Sequence, residues 1–341
     1  MNARVAVILT AVLTLSACSR GFEPAEPSGP LPKPPVRSSA AQYVYVGNTG
    51  TNTITKYPVT GGSPLLTISN GVNQPDSLAL DAQGHLYSGN TGNGTITEYD
   101  SGGTLVRTIS IGIGGAPAPL AIALDASGNL YSANGRSVTV YPPGGLSPSL
   151  TITAGVNISN GLAVDKNGTV YVGNGGGTVT EYAAGSTSIA RTISVGAVVT
   201  NVAINAGVNK TGELAVAACG RSCGQSALDA VYLYAPGQTT SYASLGGIFN
   251  PLQVLYDSIG NVYVSSLNGG INVYALNVYG QPMLQLGAAP DAMAIDGAND
   301  LAEADVGFGV GVQVFPYANS QPVWTITSGV SEPWGIAATQ N

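Results

Sequence analysis

Pro75-Asp-Ser-Leu-Ala-Leu-Asp81-Ala-Gln-Gly84-His-Leu-Tyr87-Ser-Gly-Asn90-Thr-Gly-Asn-Gly94-Thr-Ile-Thr-Glu-Tyr99-Asp100 is the stretch that decides the fold. Short strand-like runs at 77–80, 85–88 and 95–99 are separated by an Asp-x-x-Gly turn and an Asn/Gly loop, and a fourth run at 105–109 completes a unit. The rest of the chain from about residue 43 onward varies this line. Its second strand recurs as Val44-Tyr45-Val46-Gly47-Asn48, Leu130-Tyr131-Ser132-Ala133-Asn134 and Val170-Tyr171-Val172-Gly173-Asn174. Weaker copies stand at Leu214-Ala215-Val216, Val262-Tyr263-Val264 and Leu301-Ala302-Glu303.

The residue that ends each first strand is Asp81, Asp125, Asp165, Asn205, Asp257, Asp296 and finally Thr339, at intervals of 44, 40, 40, 52, 39 and 43 residues. Four short strands about every 40 to 50 residues is the period of a propeller blade. The first copy, from Tyr43, lacks a first strand, while the last segment, 333–339, is a first strand with nothing after it. Pairing the two leaves no blade with a long unpaired inner edge. The expectation is therefore an all-β, seven-bladed β-propeller of four antiparallel strands per blade, closed by a C-terminal strand that completes the N-terminal blade. A linear solenoid would need polar caps at its ends, and neither end has one.

Two columns of this repeat have structural readings. The aromatic column Tyr57, Tyr99, Tyr141, Tyr182, Tyr234, Tyr274 and Phe315 is expected to pack between blades. The Asp column is expected to serve the turns, its carboxylate accepting backbone N–H bonds while Gly adopts positive φ. The fifth unit is about a dozen residues longer than its neighbours, the excess falling around 205–230.

With 9% charged residues, 47 Gly and a net charge of −7, the composition suits a large turn-rich globule. Eleven Lys and Arg, none clustered, exclude nucleic acid as a partner. One histidine, His85, leaves neither a Ser-His-Asp nor a Cys-His arrangement, and a zinc site would need more ligands. No Gly-rich stretch opens a helix to cradle phosphate.

Residues 1–17 read as a signal peptide: Arg4 precedes an apolar run of about eleven residues, too short to span a bilayer. Leu15-Ser16-Ala17-Cys18 resembles the lipobox of bacterial lipoproteins, which implies acylation of Cys18 and anchoring in the cell envelope, with Ser19 next to it pointing to an outer membrane. Residues 18–42, with six prolines from Pro24 to Pro35, read as a semi-rigid tether below a domain at 43–341. Cys219 and Cys223 remain as a pair in an exported chain, and a disulfide closing their loop is expected.

The segment from Asp81 to Tyr99 resembles an NHL repeat, although Gly94-Thr95 stand where that pattern has Arg, and units five to seven are weaker. NHL-type propellers are mainly binding scaffolds, with lactonases and lyases among their relatives. Lactonases of the SMP-30/gluconolactonase group hold a divalent metal at the channel mouth through Glu, Asn and Asp in similar contexts. Here Glu332-Pro-Trp334, Ser159-Asn160-Gly, Pro75-Asp76-Ser and Pro290-Asp291-Ala all open first strands. That resemblance makes Asp76, Asn160, Asp291, Glu332 and Trp334 candidates at one rim of the channel, and Ca2+ or a similar cation a candidate ligand. The leading expectation is a non-enzymatic, monomeric, lipid-anchored propeller that binds a protein or small polar ligand outside the cytoplasm. The competing one is a metal-dependent lactonase, hydrolase or lyase.

Overall fold

The structure, a computed structural model, describes residues 42–115, 117–220, 228–267, 269–286, 290–306 and 311–340. The signal segment, Cys18, most of the tether and Cys223 lie outside them; Cys219 is buried at the end of its strand. All regular elements among the described residues are strands, arranged as seven four-stranded antiparallel sheets. Blade 2 shows the pattern: Pro75–Leu80, Leu86–Asn90, Thr95–Tyr99 and Leu105–Ile109, in spatial order. The inner strands of blades 1 to 7 are Pro333–Ala338, Pro75–Leu80, Ala121–Leu124, Ser159–Val164, Val198–Ile204, Pro251–Tyr256 and Ala292–Ile295, each beside the next around a ring.

Closure is made by the chain's two ends. Pro333–Ala338 pairs antiparallel with Tyr43–Asn48, placing Val44 opposite Ala338 and Val46 opposite Ile336. Thr339 secures the junction: its N–H donates to the Tyr43 carbonyl at 3.0 Å, and its hydroxyl accepts the Tyr43 N–H at 2.9 Å.

The turn column acts as its chemistry demands. Asp81 Oδ1 accepts the N–H groups of Gln83 and His85 at 2.9 and 2.8 Å, and Gly84 turns the chain at φ +83°. Asp125, Asp165, Asp257 and Asp296 repeat this arrangement. A short carboxylate thereby replaces ladder partners that the turn removes. In unit five part of the extra length lies at 205–213, between its first and second strands, and residues 221–227 lie outside the described residues.

Two further devices join the blades. The aromatic rings are buried as expected, and their hydroxyls also reach the linker from the preceding blade. Tyr57 donates to the Ser328 carbonyl at 2.7 Å, Tyr99 to Asn70 at 2.8 Å and Tyr141 to Ile111 at 2.7 Å. Arginines on outer strands form clips: Arg107 pairs with Glu98 and donates to the Gly145 carbonyl of blade 3, and Arg191 pairs with Glu181 and donates to the Gln238 carbonyl of blade 5. Apolar clusters fill the seams, each drawing on facing strands of neighbouring blades.

Candidate functional site

All seven inner strands start at one rim. The fifth residue before each turn anchor is Trp334, Asp76, Leu120, Asn160, Thr200, Leu252 and Asp291 in blades 1 to 7, and every one of them is half-buried. At five of the seven the ladder skips a residue. Pro75 faces Asn90 and Ser77 faces Gly89, so the register steps over Asp76; Trp334, Asn160, Thr200 and Leu252 sit on the same irregularity. A bulge of this kind turns one side chain out of the alternating pattern.

The chain entering these bulges is held in an uncommon conformation. Gln74, Ile158, Asn250 and Glu332, each two residues before the ring position, have φ of 50°, 54°, 51° and 49°. Left-handed backbone at non-glycine residues is unfavourable and persists only where neighbours impose it. In blade 6 the Asn250 N–H donates to the Asp229 carboxylate at 2.9 Å, and in blades 1, 2 and 4 buried asparagines at the end of the second strands act on the entering chain. Asn48 Oδ1 accepts the N–H of Ser331 at 2.9 Å, Asn90 that of Asn73 at 3.1 Å and Asn174 that of Asn157 at 2.9 Å. Their amide groups are anchored in turn on threonine hydroxyls, such as Thr55 at 3.1 Å from Asn48 and Thr97 at 3.0 Å from Asn90.

Of the residues expected at the rim, Asp76, Asn160, Asp291 and Trp334 occupy the ring, and blades 7, 1 and 2 place Asp291, Trp334 and Asp76 in succession. Asn160 stands two blades further on, and its amide donates to the Val199 carbonyl of blade 5 at 2.9 Å. Glu332 is outside the ring: it is exposed, its carboxyl lies against Gly50 in the turn after Asn48, and its carbonyl accepts the Thr49 N–H at 3.1 Å. Asp291 accepts the Val306 N–H at 3.1 Å. Burial raises its carboxyl above the ordinary range, the Val306 bond opposes this and the Asp305 charge adds to it. Among the described residues no three His, Cys, Asp or Glu side chains are grouped to hold a metal ion, so Asp76, Asp291 and Glu332 form no such cage.

On the opposite rim a polar pocket of about 240 Å³ between blades 3 and 4 is lined by Asp125, Asn129, Tyr131 and Lys166. The Asp125 carboxylate there is already taken up by Asn129 and the Tyr131 hydroxyl.

The group that sequence reasoning missed lies behind Asp291. Glu303 is fully buried in the second strand of blade 7, and neither carboxylate oxygen has a hydrogen-bond partner among the described residues. Burial first, then the charges of Asp305 and Asp291, push its carboxyl from 4.5 to about 8. Its signal was present in the repeat: the equivalent positions opposite the inner strands are Val46, Ser88, Ser132, Val172, Val216 and Val264. Only blade 7 carries an acid in this column.

Comparison with known proteins gives the fold a context. The family described as SMP-30/Gluconolactonase/LRE-like region matches residues 37–132, well under half of the chain. No curated protein matches the sequence. Among solved structures, a functionally unknown protein from Desulfotomaculum acetoxidans DSM 771 is similar at a TM-score of 0.68 and 13% identity, over 87% of this chain and 98% of that one. A chain in the crystal structure of a mitotic checkpoint complex is similar at a TM-score of 0.58 and 15% identity, over 69% of this chain and 71% of that one. At such identities both likenesses concern the fold alone. The chain is a seven-bladed β-propeller with a distant SMP-30-like resemblance.

Proposed function

We propose that this protein is a binding propeller which presents its seven ring residues at the channel mouth to a protein or small polar ligand, held at the bacterial envelope through a lipid on Cys18. The observation that carries the reading is an internal contrast. Positions that hold the blades together repeat from unit to unit, as with the buried tyrosines of blades 1 to 6, the turn carboxylates and, in blades 1 to 4, the strand-end asparagines. The ring position instead changes in character around the circle: indole, carboxylate, isobutyl, amide, hydroxyl, isobutyl, carboxylate. A position that is half-buried throughout, re-aimed by a bulge at five of its seven places and occupied by five different side chains is built for recognition rather than for packing.

The test is capture from envelope extract with the full chain and with a triple Asp76→Ala, Asn160→Ala, Trp334→Ala variant. A component retained by the first and lost by the second supports the reading; identical retention removes it. A second reading, lactone hydrolysis at the same mouth, is favoured by the family match over residues 37–132. Gluconolactone turnover above the buffer rate with added calcium, manganese or zinc would promote it over the first. Replacement of Cys18 by Ala is expected to move the protein from the membrane fraction to the soluble one.

A further inference from the structure

The formal charge of the chain is unevenly placed. After Arg221 there is no Lys, Arg or His, yet eight carboxylates follow, Asp229, Asp257, Asp291, Asp296, Asp300, Glu303, Asp305 and Glu332. The preceding part carries eleven cationic side chains and ten carboxylates, so the net −7 of the protein arises in this last sector. The sector comprises the outer half of blade 5, blades 6 and 7 and the closing strand. No Lys, Arg or His side chain lies within it.

Three of these acids lie in one place. Leu301, Glu303 and Asp305 alternate onto a single face of their strand. Leu301 and Met293, the residue opposite Glu303, pack against Tyr263, Ile271, Val273 and Leu286 of blade 6. Glu303 and Asp305 therefore face the seam between blades 6 and 7, with Asp305 toward the rim. Asp291 stands at the start of the adjoining inner strand, bonded to the N–H of Val306, the residue after Asp305. Facing groups on the blade 6 side are uncharged: the Gln253 amide is bonded to the main chain of Met293, and the Ser265 hydroxyl accepts the Gln253 N–H.

We propose that Asp291, Asp305 and Glu303 form a site for a small organic cation bearing a guanidinium or ammonium group, which releases one proton from Glu303 as it accepts the ligand. An isolated carboxyl in an apolar seam stays protonated because burial and two neighbouring carboxylates oppose its charge. A cation at Asp291 and Asp305 reverses the second of these effects, and Glu303 becomes the third counter-charge from behind. The balance is one cation bound and one proton passed to solvent. A spread donor set suits an organic cation, whose several N–H donors reach further than a metal ion. The site shares Asp291 with the ring and to that extent rests on the binding reading above.

Calorimetric titration of the full chain with ethylguanidinium, whose charge does not change between pH 6 and 9, tests this. Running it at pH 7 in phosphate and in Tris reports the protons released. The expectation is saturable binding with about one proton released at pH 7 and fewer at pH 9, and affinity that rises with pH. Glu303→Gln should weaken binding about tenfold at pH 9 and abolish the release, with neutral ethylurea inert and Asp100→Asn, in an exposed outer turn, unchanged. No binding at millimolar probe, the same proton release in Glu303→Gln, or equal displacement of the probe by magnesium at matched ionic strength would each overturn the proposal. Loss of captured partner in the ring variants with proton release absent would leave the ring reading standing and remove only this one.

Discussion

Glu303 should make the protein less stable as the pH rises, and its replacement should reverse that. The folded carboxyl titrates at about 8 against 4.5 when solvated. The sign follows from which state holds the proton. Below pH 4.5 both states are protonated and Glu303 contributes no pH-dependent penalty. Between 4.5 and 8 the unfolded chain loses its proton while the folded chain retains it, so folding must take a proton up and becomes less favourable with every unit. Above 8 the penalty levels off. At about 1.4 kcal/mol per unit the cost is about 3 kcal/mol at pH 7 and about 5 kcal/mol at pH 9. Glu303→Gln removes this pH-dependent part and keeps a polar group in the seam. Glu303→Val also removes the unpartnered polar atoms, and offsets part of that gain with a cavity costing about 1 kcal/mol or more. Valine is already accepted at the matching position in four other blades, as Val46, Val172, Val216 and Val264. Urea unfolding of wild type and Glu303→Gln from pH 4 to 9 measures the difference directly. The two curves should coincide near pH 4 and diverge steadily to pH 8, with the variant the more stable. Parallel curves would show that Glu303 is solvated or paired in solution and refute the reasoning.

Two further outcomes follow from the devices that join the blades. Tyr99→Phe removes a buried hydroxyl that donates to Asn70 at 2.8 Å and leaves that carbonyl short of a partner, which should lower unfolding free energy by about 1–2 kcal/mol in denaturant titration without changing the slope. Deleting residues 333–341 strips blade 1 of its inner strand and exposes the ladder edge of Tyr43–Asn48, so the chain should lose its single cooperative thermal transition and aggregate; a truncated protein that melted like the full chain would contradict closure by this strand.

The architecture was legible because it is carried by short-range signals repeated seven times. Asp81-x-x-Gly84 states its own turn, Leu86-Tyr87 its buried strand, and the missing first strand of the first copy is supplied by Pro333–Ala338. The location of the ring was legible for the same reason, since Asp76, Asn160, Asp291 and Trp334 hold one position relative to the turn anchors. Glu332 stands two residues before the ring position, where its own backbone is left-handed and its carboxyl lies against Gly50, a placement its motif did not reveal. The tyrosine hydroxyls and strand-end asparagines were visible as columns, but their bonds reach linkers defined only once the blades are stacked. The charge environment of Glu303 needed three dimensions, because Asp291 approaches it through the pairing of two strands rather than along the sequence.

Blade 7 keeps the turn carboxylate, as Asp296, but departs from the repeat at three buried positions. Phe315 takes the tyrosine position and has no hydroxyl to donate, Asp305 takes the asparagine position, and Glu303 takes a position filled elsewhere by valine or serine. Each change is unfavourable or neutral for a blade considered alone. Random loss of regularity would be expected to fall on exposed outer strands, where substitutions cost little. Here all three changes fall on buried positions, and two of them, Glu303 and Asp305, are acids. They also sit next to the blade closed by the chain's two ends, where pairing of Pro333–Ala338 with Tyr43–Asn48 ties the ring together independently of the blade 6–7 seam. A closed ring can tolerate one weak seam, since six others and the terminal strand hold the circle. Local instability confined to such a seam, in a fold otherwise built from repeated satisfied bonds, is the pattern expected where binding and not folding sets the residue.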